Sequence, residues 1–209
     1  MKTQDHETRD RLLASAARLF ADNGFARVTV RDICREARAN VAAVNYHFDG
    51  KLGLYQSVMK AAIGTMRATT EEACRAGTGA PPEEQLRAYV RVFLTRVVAS
   101  GGDSWIHQLM LREMSDPTPA LDLVFDEVIR PRLAYLGGVV AQIMACPLDD
   151  PRIFPCVFSI NAQCVTMLHY RAAARLHSAF ATTPAGIDAM VTHITEFSLA
   201  GLWAMARSA

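Results

Sequence analysis

The residues best suited to chemistry at a surface lie in the stretch ANVAAVNYHFDGK, which runs from Ala39 to Lys51. Asn45, Tyr46 and His47 stand side by side there, in a chain otherwise rich in alanine, leucine and valine. An asparagine amide can pair with an adenine edge through two hydrogen bonds, and a tyrosine hydroxyl can donate to a phosphate. The lysine that ends the stretch adds a cation suited to phosphate. The combination indicates contact with a nucleic acid.

A structural interpretation of the same stretch stays open. Asn45 is then a solvated residue on an ordinary surface helix, and His47 is an imidazole packed in the core. Val44 and Phe48 lie four residues apart and therefore on one face, which anchors the helix under either interpretation. The same geometry turns Ala42 toward an outward face. If the helix contacts DNA, this small side chain allows it to approach a base edge closely.

The elements before this stretch decide how it is presented. An apolar stripe with helical period predicts a first helix over residues 5–22, ended by Asn23-Gly24. Thr29 and Asp32 have capping-box spacing, which predicts the start of a second, short helix. Asn40 is a good cap for the third helix. Two short helices joined by a tight turn after a longer helix are typical of a helix-turn-helix unit, whose second short helix enters the major groove of DNA.

Composition places the chain among globular proteins, with 209 residues, 51% of them hydrophobic, and a net charge of +1. The charge is uneven, because residues 1–60 carry ten basic against seven acidic side chains and residues 61–209 carry twelve against fourteen. We find no secretory signal pattern or membrane-spanning pattern, which favours a cytoplasmic protein. The five cysteines have no C-x-x-C pair, so neither a disulfide framework nor a zinc site is expected.

Every strongly periodic segment has helical period, which predicts an all-α protein. We expect a helix-turn-helix domain over residues 1–50 and a second helical domain over residues 51–209, connected by a helix over 51–75. Pro131 and Gly137-Gly138 should bend the longest pattern. Further helical patterns cover residues 83–99, 104–115, 118–145, 155–177 and 184–207.

The C-terminal part carries two sets of candidate residues. Aromatic, methionine and histidine side chains between the fifth and eighth helices have the make-up of an apolar pocket with a few polar handles, although plain core packing is the alternative for each. These are Trp105, His107, Met110, Met114, Tyr135, Phe158 and His169. Broad apolar faces on the last two helical patterns could close a four-helix interface between two subunits, or pack only within one chain. They comprise Ile160, Cys164, Met167, Leu168, Ile187, Met190, Val191, Ile194, Phe197 and Leu202.

Residues 12–59, LLASAARLFADNGFARVTVRDICREARANVAAVNYHFDGKLGLYQSVM, resemble the DNA-binding domain of the TetR family of repressors. The resemblance implies a homodimer that reads a palindrome in double-stranded DNA. It also implies that eight residues contact DNA, namely Thr29, Arg31, Asn40, Ala42, Asn45, Tyr46, His47 and Lys51. Residues 109–133 and 159–173 are similar to the effector domain of the CecR-like subgroup. This resemblance implies that residues 51–209 form an effector-binding and dimerisation domain.

Two positions depart from the family pattern. Arg38 stands where the family usually has glycine, so a residue with a Cβ would have to adopt the left-handed turn conformation. Gly50 stands where a serine usually caps the fourth helix, which leaves Asp49 as a substitute cap.

The sequence therefore predicts a repressor that is released from DNA by a small, largely apolar effector. A small-molecule or lipid carrier on the same fold, without DNA binding, is the alternative. We expect no enzyme, because no helix shows a recognisable nucleophile, base and orienting group. We expect no metal or other cofactor, since the histidines lack ligand spacing.

Overall fold

The computed structural model describes residues 2–99, 104–166 and 183–207, and within these ranges every regular element is helical. The prediction of an all-α protein is confirmed for this part of the chain. None of the helices in these ranges combines the length and apolar character needed to cross a membrane. The elements are α1 (Lys2–Asn23), α2 (Val30–Ala37), α3 (Val41–Phe48), α4 (Gly50–Gly77), α5 (Pro82–Ala99), α6 (Trp105–Ser115), α7 (Ala120–Val124), a π-helical turn (Phe125–Ile129), α8 (Arg130–Met144), α9 (Ile153–Thr166) and α10 (Pro184–Arg207).

The segment expected as one bent helix over 118–145 is instead divided into α7, the π-helical turn and α8. Pro131 gives the physical reason, because proline has no N–H for the carbonyl four residues earlier and its ring clashes with that carbonyl. A wider turn before the proline relieves both problems. Gly137 and Gly138 lie inside α8 without interrupting it. The expected helix over 155–177 begins at Ile153, and its residues beyond Thr166 lie outside the described residues.

The chain forms two compact units, and each unit combines segments that are separated in the sequence. Unit 1 comprises Met1–Thr65 together with Asp103–Val124, and unit 2 comprises Met66–Gly102 together with Phe125–Ala209. The contacts group the first part of α4, together with α6 and α7, with the N-terminal helices. The expected division of function at residue 50 stays a prediction. Helix α4 therefore contains residues of both units.

Unit 1 is built around aromatic side chains from α1, α4 and the loop after α1. The ring centroids of Phe20 and Tyr55 lie 5.0 Å apart in an edge-on arrangement, and those of Phe25 and Tyr55 lie 4.8 Å apart. Leu12 of α1 and Ile33 of α2 are completely buried beside them. This core holds the short helices α2 and α3, which are too short to be stable alone.

Two adjacent side chains of α6 fasten that helix to the rest of unit 1. Arg112 donates from Nε to the carbonyl oxygen of Ala21 at 2.5 Å and from Nη2 to that of Asp22, so it satisfies carbonyl groups at the end of α1. Glu113, only 2% exposed, accepts a hydrogen bond from the hydroxyl of Tyr55. Its carboxyl group also accepts from the backbone N–H of Thr118 at 3.2 Å. Helix α6 is therefore part of the framework that supports α1 and α4.

Unit 2 has its own core, formed by α5, α8, α9, α10 and the end of α4. Five residues that we expected at a subunit interface are buried in it instead, each less than 4% exposed. Their apolar stripes pack within the chain, which was the alternative interpretation, so these side chains are not available to a partner. They are Ile160, Cys164, Val191, Ile194 and Leu202.

Gly53 shows how closely α3 lies against α4. A Cβ atom added at this position would be 1.8 Å from the carbonyl oxygen of Phe48, the last residue of α3. No rotation of a side chain can relieve this contact, because the opposing atom belongs to the backbone. The position of α3 therefore depends on a glycine in the first turn of α4.

We predict that Gly53→Ala lowers the free energy of unfolding by about 2–3 kcal/mol or more, as over-packing against backbone does. Gly64→Ala is the matched control, since it lies on the same helix with nothing within 4 Å of its added Cβ. The control should raise the free energy of unfolding by up to about 1 kcal/mol through helix propensity. Urea titrations of both variants measure this, and equal stability of the two would contradict the close approach.

Candidate nucleic-acid interface

The start of α2 is closed by the expected capping box. The hydroxyl oxygen of Thr29 accepts from the backbone N–H of Asp32 at 3.2 Å, and the N–H of Thr29 donates to the Asp32 carboxylate at 3.1 Å. The Thr29 hydroxyl also donates to that carboxylate at 2.6 Å. These bonds hold the pKa of Asp32 below its usual value, with the Thr29 hydroxyl as the largest cause. The capping box confirms the predicted helix start, although it occupies the hydroxyl expected at DNA.

The turn between α2 and α3 has the left-handed conformation that was expected at Arg38, where the chain departs from the family pattern. This residue has φ 50° and ψ 49°, in the left-handed region, and its N–H donates to the carbonyl of Arg35 at 3.4 Å. The N–H of Ala39 donates to the carbonyl of Cys34 at 2.9 Å, which completes a typical helix end. Asn40 then caps α3, accepting from the N–H of Ala43 at 2.8 Å.

Helix α3 presents one face to the core and another outward. Val44 is fully buried and Phe48 is 6% exposed, as their spacing predicted. Asn45 and Ala42 are exposed, and the side chain of Tyr46 is 77% exposed. Its ring contacts that of His47 edge-on, with centroids 4.9 Å apart, and most of its surface stays open among the residues described. Asn45, Tyr46 and Ala42 thus form an outward surface suited to a groove.

Two expected DNA contacts are placed differently. The His47 side chain is only 8% exposed, with Nε2 3.4 Å from a carboxylate oxygen of Asp5 in α1. The His47 side chain therefore packs inward, as the structural interpretation predicted, and does not lie on the outward face with Tyr46. Lys51 is half-buried, with Nζ 4.3 Å from the centroid of the Phe25 ring. This cation–π contact fixes the charge at the start of α4.

The junction of α3 and α4 explains the second departure from the family pattern. Asp49 ends α3 in the left-handed conformation, with φ 56°, and its N–H donates to the carbonyl of Asn45 at 3.1 Å. Gly50 follows with φ 92°, a value that glycine adopts without strain. The chain passes from α3 to α4 through two consecutive residues of positive φ, and Lys51 is the second residue of α4.

Sequence reasoning treated Arg38 only as a source of strain and omitted it from the DNA contacts. The structure exposes this arginine in the turn between α2 and α3, where it lies two residues before the cap of the outward helix. Arg31 is also exposed, as expected. The side chain of Arg35 is 79% exposed but pairs with Asp32 at 2.8 Å. Its exposure and its place just before the cap of α3 make Arg38 a further candidate for contact with DNA.

The residues expected in an effector pocket fall in different places. Trp105, His107, Met110 and Met114 belong to α6 of unit 1, whereas Tyr135 and Phe158 belong to unit 2. His169 lies outside the described residues.

Two members of this set face outward, with Met114 53% and Phe158 61% exposed. Each lies on the solvent side of its helix in the chain as described, and its place in a pocket stays a prediction. Unit 1 has a cleft of about 430 Å³ between α1, α4 and α6, whose lining includes Leu13, Val58 and Trp105.

An exposed aromatic surface lies on α9 and α10 of unit 2. Phe154 and Phe158 stack on α9 with ring centroids 6.4 Å apart, and both are more than 60% exposed. Phe197 of α10, expected at an interface, is 66% exposed, and Trp203 is 43% exposed. Ile187 and Met190, also expected there, are partly buried against the core, and Met167 and Leu168 lie outside the described residues.

Comparison with known proteins agrees with this geometry. Residues 12–58 match the family described as bacterial regulatory proteins, tetR family, and residues 82–202 match the C-terminal domain of the HTH-type transcriptional dual regulator CecR. The second match alone spans more than half of the chain. The protein belongs to the TetR family. It is a TetR-family transcriptional regulator with a CecR-like C-terminal domain.

A curated relative of this TetR-family chain agrees with the assignment, and two solved structures agree with its fold. The HTH-type transcriptional dual regulator CecR of Shigella flexneri is 27% identical over 164 residues, which is 73% of this chain and 72% of that protein. A TetR-family regulator of Streptomyces coelicolor has a similar structure, with a TM-score of 0.67, 21% identity, and coverage of 95% of this chain and 97% of that one. The ketosteroid transcriptional regulator KstR2 of Mycobacterium tuberculosis gives a TM-score of 0.65 at 18% identity, covering 92% and 93%.

We predict that Arg38→Gly is more stable than Arg38→Ala by about 1 kcal/mol, because only glycine adopts this left-handed turn without a Cβ penalty. Both variants lose the same arginine side chain, so the comparison isolates the backbone. Thermal and urea unfolding of the pair measure the difference. Equal stabilities would show that the turn is not strained.

Proposed function

We propose that this TetR-family regulator is a repressor that binds a palindromic operator as a homodimer and is released by a small, largely apolar effector. The observation that carries the proposal is the outward face of α3. Tyr46 is 77% exposed there, on a helix whose start is capped by Asn40 and whose inner face is locked by Val44. A rigid, capped helix with polar and small residues outward has the form of a recognition helix.

Each outward residue has a separate task in this proposal. Asn45 reads an adenine edge, and Ala42 allows the first turn of α3 to approach the bases. Tyr46 donates its hydroxyl to a phosphate, while Lys51 and the exposed Arg38 neutralise phosphates on either side of the helix. The free N–H groups at the start of α3 add a partial positive charge toward the backbone of the DNA.

The test is selection from a random duplex pool by the purified protein at about 150 mM salt, because specific binding has meaning only at a stated salt concentration. We predict that the natural protein enriches a palindrome and that a Tyr46→Ala, Lys51→Ala double variant does not. Asn45→Ala should lower operator affinity by about 1–3 kcal/mol and relax the preference at one base pair of each half-site.

The matched control is Lys60→Ala, which removes an exposed cation of α4 that the proposal leaves off the DNA. This variant should select the same palindrome as the natural protein. A folded natural protein that enriches no sequence would sink the repressor proposal and favour a ligand carrier on the same fold.

The proposed dimer uses the aromatic surface of α9 and α10. The two helices are joined by a hydrogen bond from Gln163 to Ser198 at 3.4 Å, and each helix carries exposed aromatic side chains. Exposed apolar patches of this kind typically mark a protein interface. A two-fold dimer presents the same patch from both subunits, and its two recognition helices read half-sites about 34–36 Å apart.

We predict that a Phe158→Glu, Phe197→Glu variant is monomeric in light scattering, because each carboxylate would have to be buried at the interface. Its affinity for a full palindrome should fall toward that for a single half-site. Met114→Glu, at a residue of unit 1 that is 53% exposed, is the control and should leave the dimer intact. A dimeric double variant would place the interface elsewhere.

Release by the effector is a coupling of two binding equilibria. A ligand that binds more tightly to the dimer whose recognition helices are wrongly spaced for the operator shifts the protein toward that dimer. The factor by which the ligand lowers operator affinity then equals the factor by which the operator lowers ligand affinity. Helix α4 contains residues of both units, from Lys51 beside α3 to Thr70 in unit 2, and is the proposed route of the coupling.

A further inference from the structure

Arg132 is a cation in the interior of unit 2. It lies in the first turn of α8 and is 9% exposed. Its Nε donates to the hydroxyl of Thr70 at 3.2 Å, and its Nη2 donates to the carbonyl oxygen of Met66 at 3.3 Å. The guanidinium carbon lies 5.4 Å from the centroid of the Phe93 ring. All three of these partners are neutral.

No carboxylate within the described ranges lies within 4 Å of this guanidinium. Several acidic side chains of unit 2 pair with other arginines, as Glu127 does with Arg67 at 3.3 Å and Asp126 with Arg130 at 3.0 Å. Arg132 therefore has no counterion in the part of the chain that the structure describes.

The two titratable groups that influence Arg132 most are neutral as well. Burial raises the pKa of the Cys164 thiol to about 12, and burial also raises the pKa of the Tyr89 hydroxyl. Both groups are thus protonated near neutral pH and supply no negative charge. Burial of Arg132 lowers its own pKa, yet a guanidinium stays protonated in proteins. An isolated buried charge is strongly unfavourable, and neutral acceptors offset only part of that cost.

A second polar group in the same core lacks a partner. Tyr135 follows Arg132 by three residues on α8, and its ring centroid lies 6.4 Å from that of Tyr89. Its hydroxyl oxygen is buried, with no hydrogen-bond partner among the residues described. The π-helical turn Phe125–Ile129 comes just before this part of α8, and such turns are frequent at functional sites. Arg132 contacts α4 at Met66 and Thr70, whereas the Tyr135 hydroxyl lies 3.1 Å from a Cβ atom built at Gly77 of the same helix. The two groups are separate polar points in one apolar core, and ligand sites combine a few such polar groups with an apolar lining.

We propose that Arg132 binds the carboxylate of a small effector whose body is apolar and lies in the core of unit 2. A carboxylate matches the planar guanidinium fork and carries the single negative charge needed to neutralise it. The doubly charged form of a phosphate monoester would leave excess charge beside Phe93. The proposal deepens the proposed function, since the carboxylate ligand is then the effector, but the binding itself requires no DNA.

Calorimetry on the full-length protein without DNA tests this directly. The probes are decanoate and 4-phenylbutyrate, each with its neutral alcohol, decan-1-ol or 4-phenylbutan-1-ol, so that aliphatic and aromatic bodies are compared. At least one acid should bind, and its alcohol should bind about tenfold more weakly or worse, as expected for lost bonds to a charged group. Arg132→Met should weaken the acid by a similar factor and leave the alcohol unchanged.

Two further variants sharpen the result. Arg132→Lys keeps the charge but loses the fork, so it should bind the acid with intermediate affinity. Arg91→Met is the matched control, because Arg91 is an exposed arginine of the same unit that is already paired with Asp188. It should bind the acid as the natural protein does.

Equal binding of acid and alcohol, binding of neither acid, or native acid affinity in Arg132→Met would each overturn the inference. If Arg132→Met fails to fold by circular dichroism, the comparison of acid with alcohol in the natural protein decides. Operator selection by ligand-free protein is scored separately. A protein that selects a palindrome but shows no preference for an acid over its alcohol would support the repressor proposal and contradict this one. A protein that prefers an acid but selects no palindrome would contradict only the repressor proposal.

Discussion

The buried carboxyl group of Glu113 is the constraint on which the arrangement of unit 1 depends. It accepts hydrogen bonds from the hydroxyl of Tyr55 and from Thr118, so α6 cannot leave α4 without stranding a buried hydroxyl. Helix α3 in turn lies against α4 at Gly53 with no room for a Cβ atom. The direction in which Tyr46 projects is therefore set in part by a carboxyl group more than sixty residues further along the chain.

The sequence predicted the helix-turn-helix well because its signals are local. Thr29 with Asp32, and Asn40 with Ala43, are side-chain-to-backbone contacts spanning three residues, and residue types at that spacing reveal them. The role of Glu113 had no such signal. Its partner Tyr55 is 58 residues away, and no spacing rule connects a carboxyl group of one helix to a phenol of another. Helix α6 was consequently assigned to the effector domain alone.

The apolar faces of α9 and α10 show a different limit. Their periodicity correctly indicated that much of each helix is buried, but periodicity does not say what covers a face. Ile160 and Ile194 are covered by their own chain, while Phe158 and Phe197 on the same two helices are exposed. When a helix is apolar on more than one face, its sequence pattern does not distinguish the buried face from the exposed one. Only the three-dimensional arrangement separates core residues from candidates for an interface.

The discontinuity of unit 1 also governs the order in which it can form during synthesis. Helices α1 to α3 emerge from the ribosome first, yet Tyr55 must wait for Glu113 until a further 58 residues have been made. At usual elongation rates this delay is roughly 3–12 s. Throughout it the aromatic cluster of Phe20, Phe25 and Tyr55 lacks α6 and its buried carboxyl group. The hydrogen bond that completes unit 1 can therefore form only after part of the second unit has been translated.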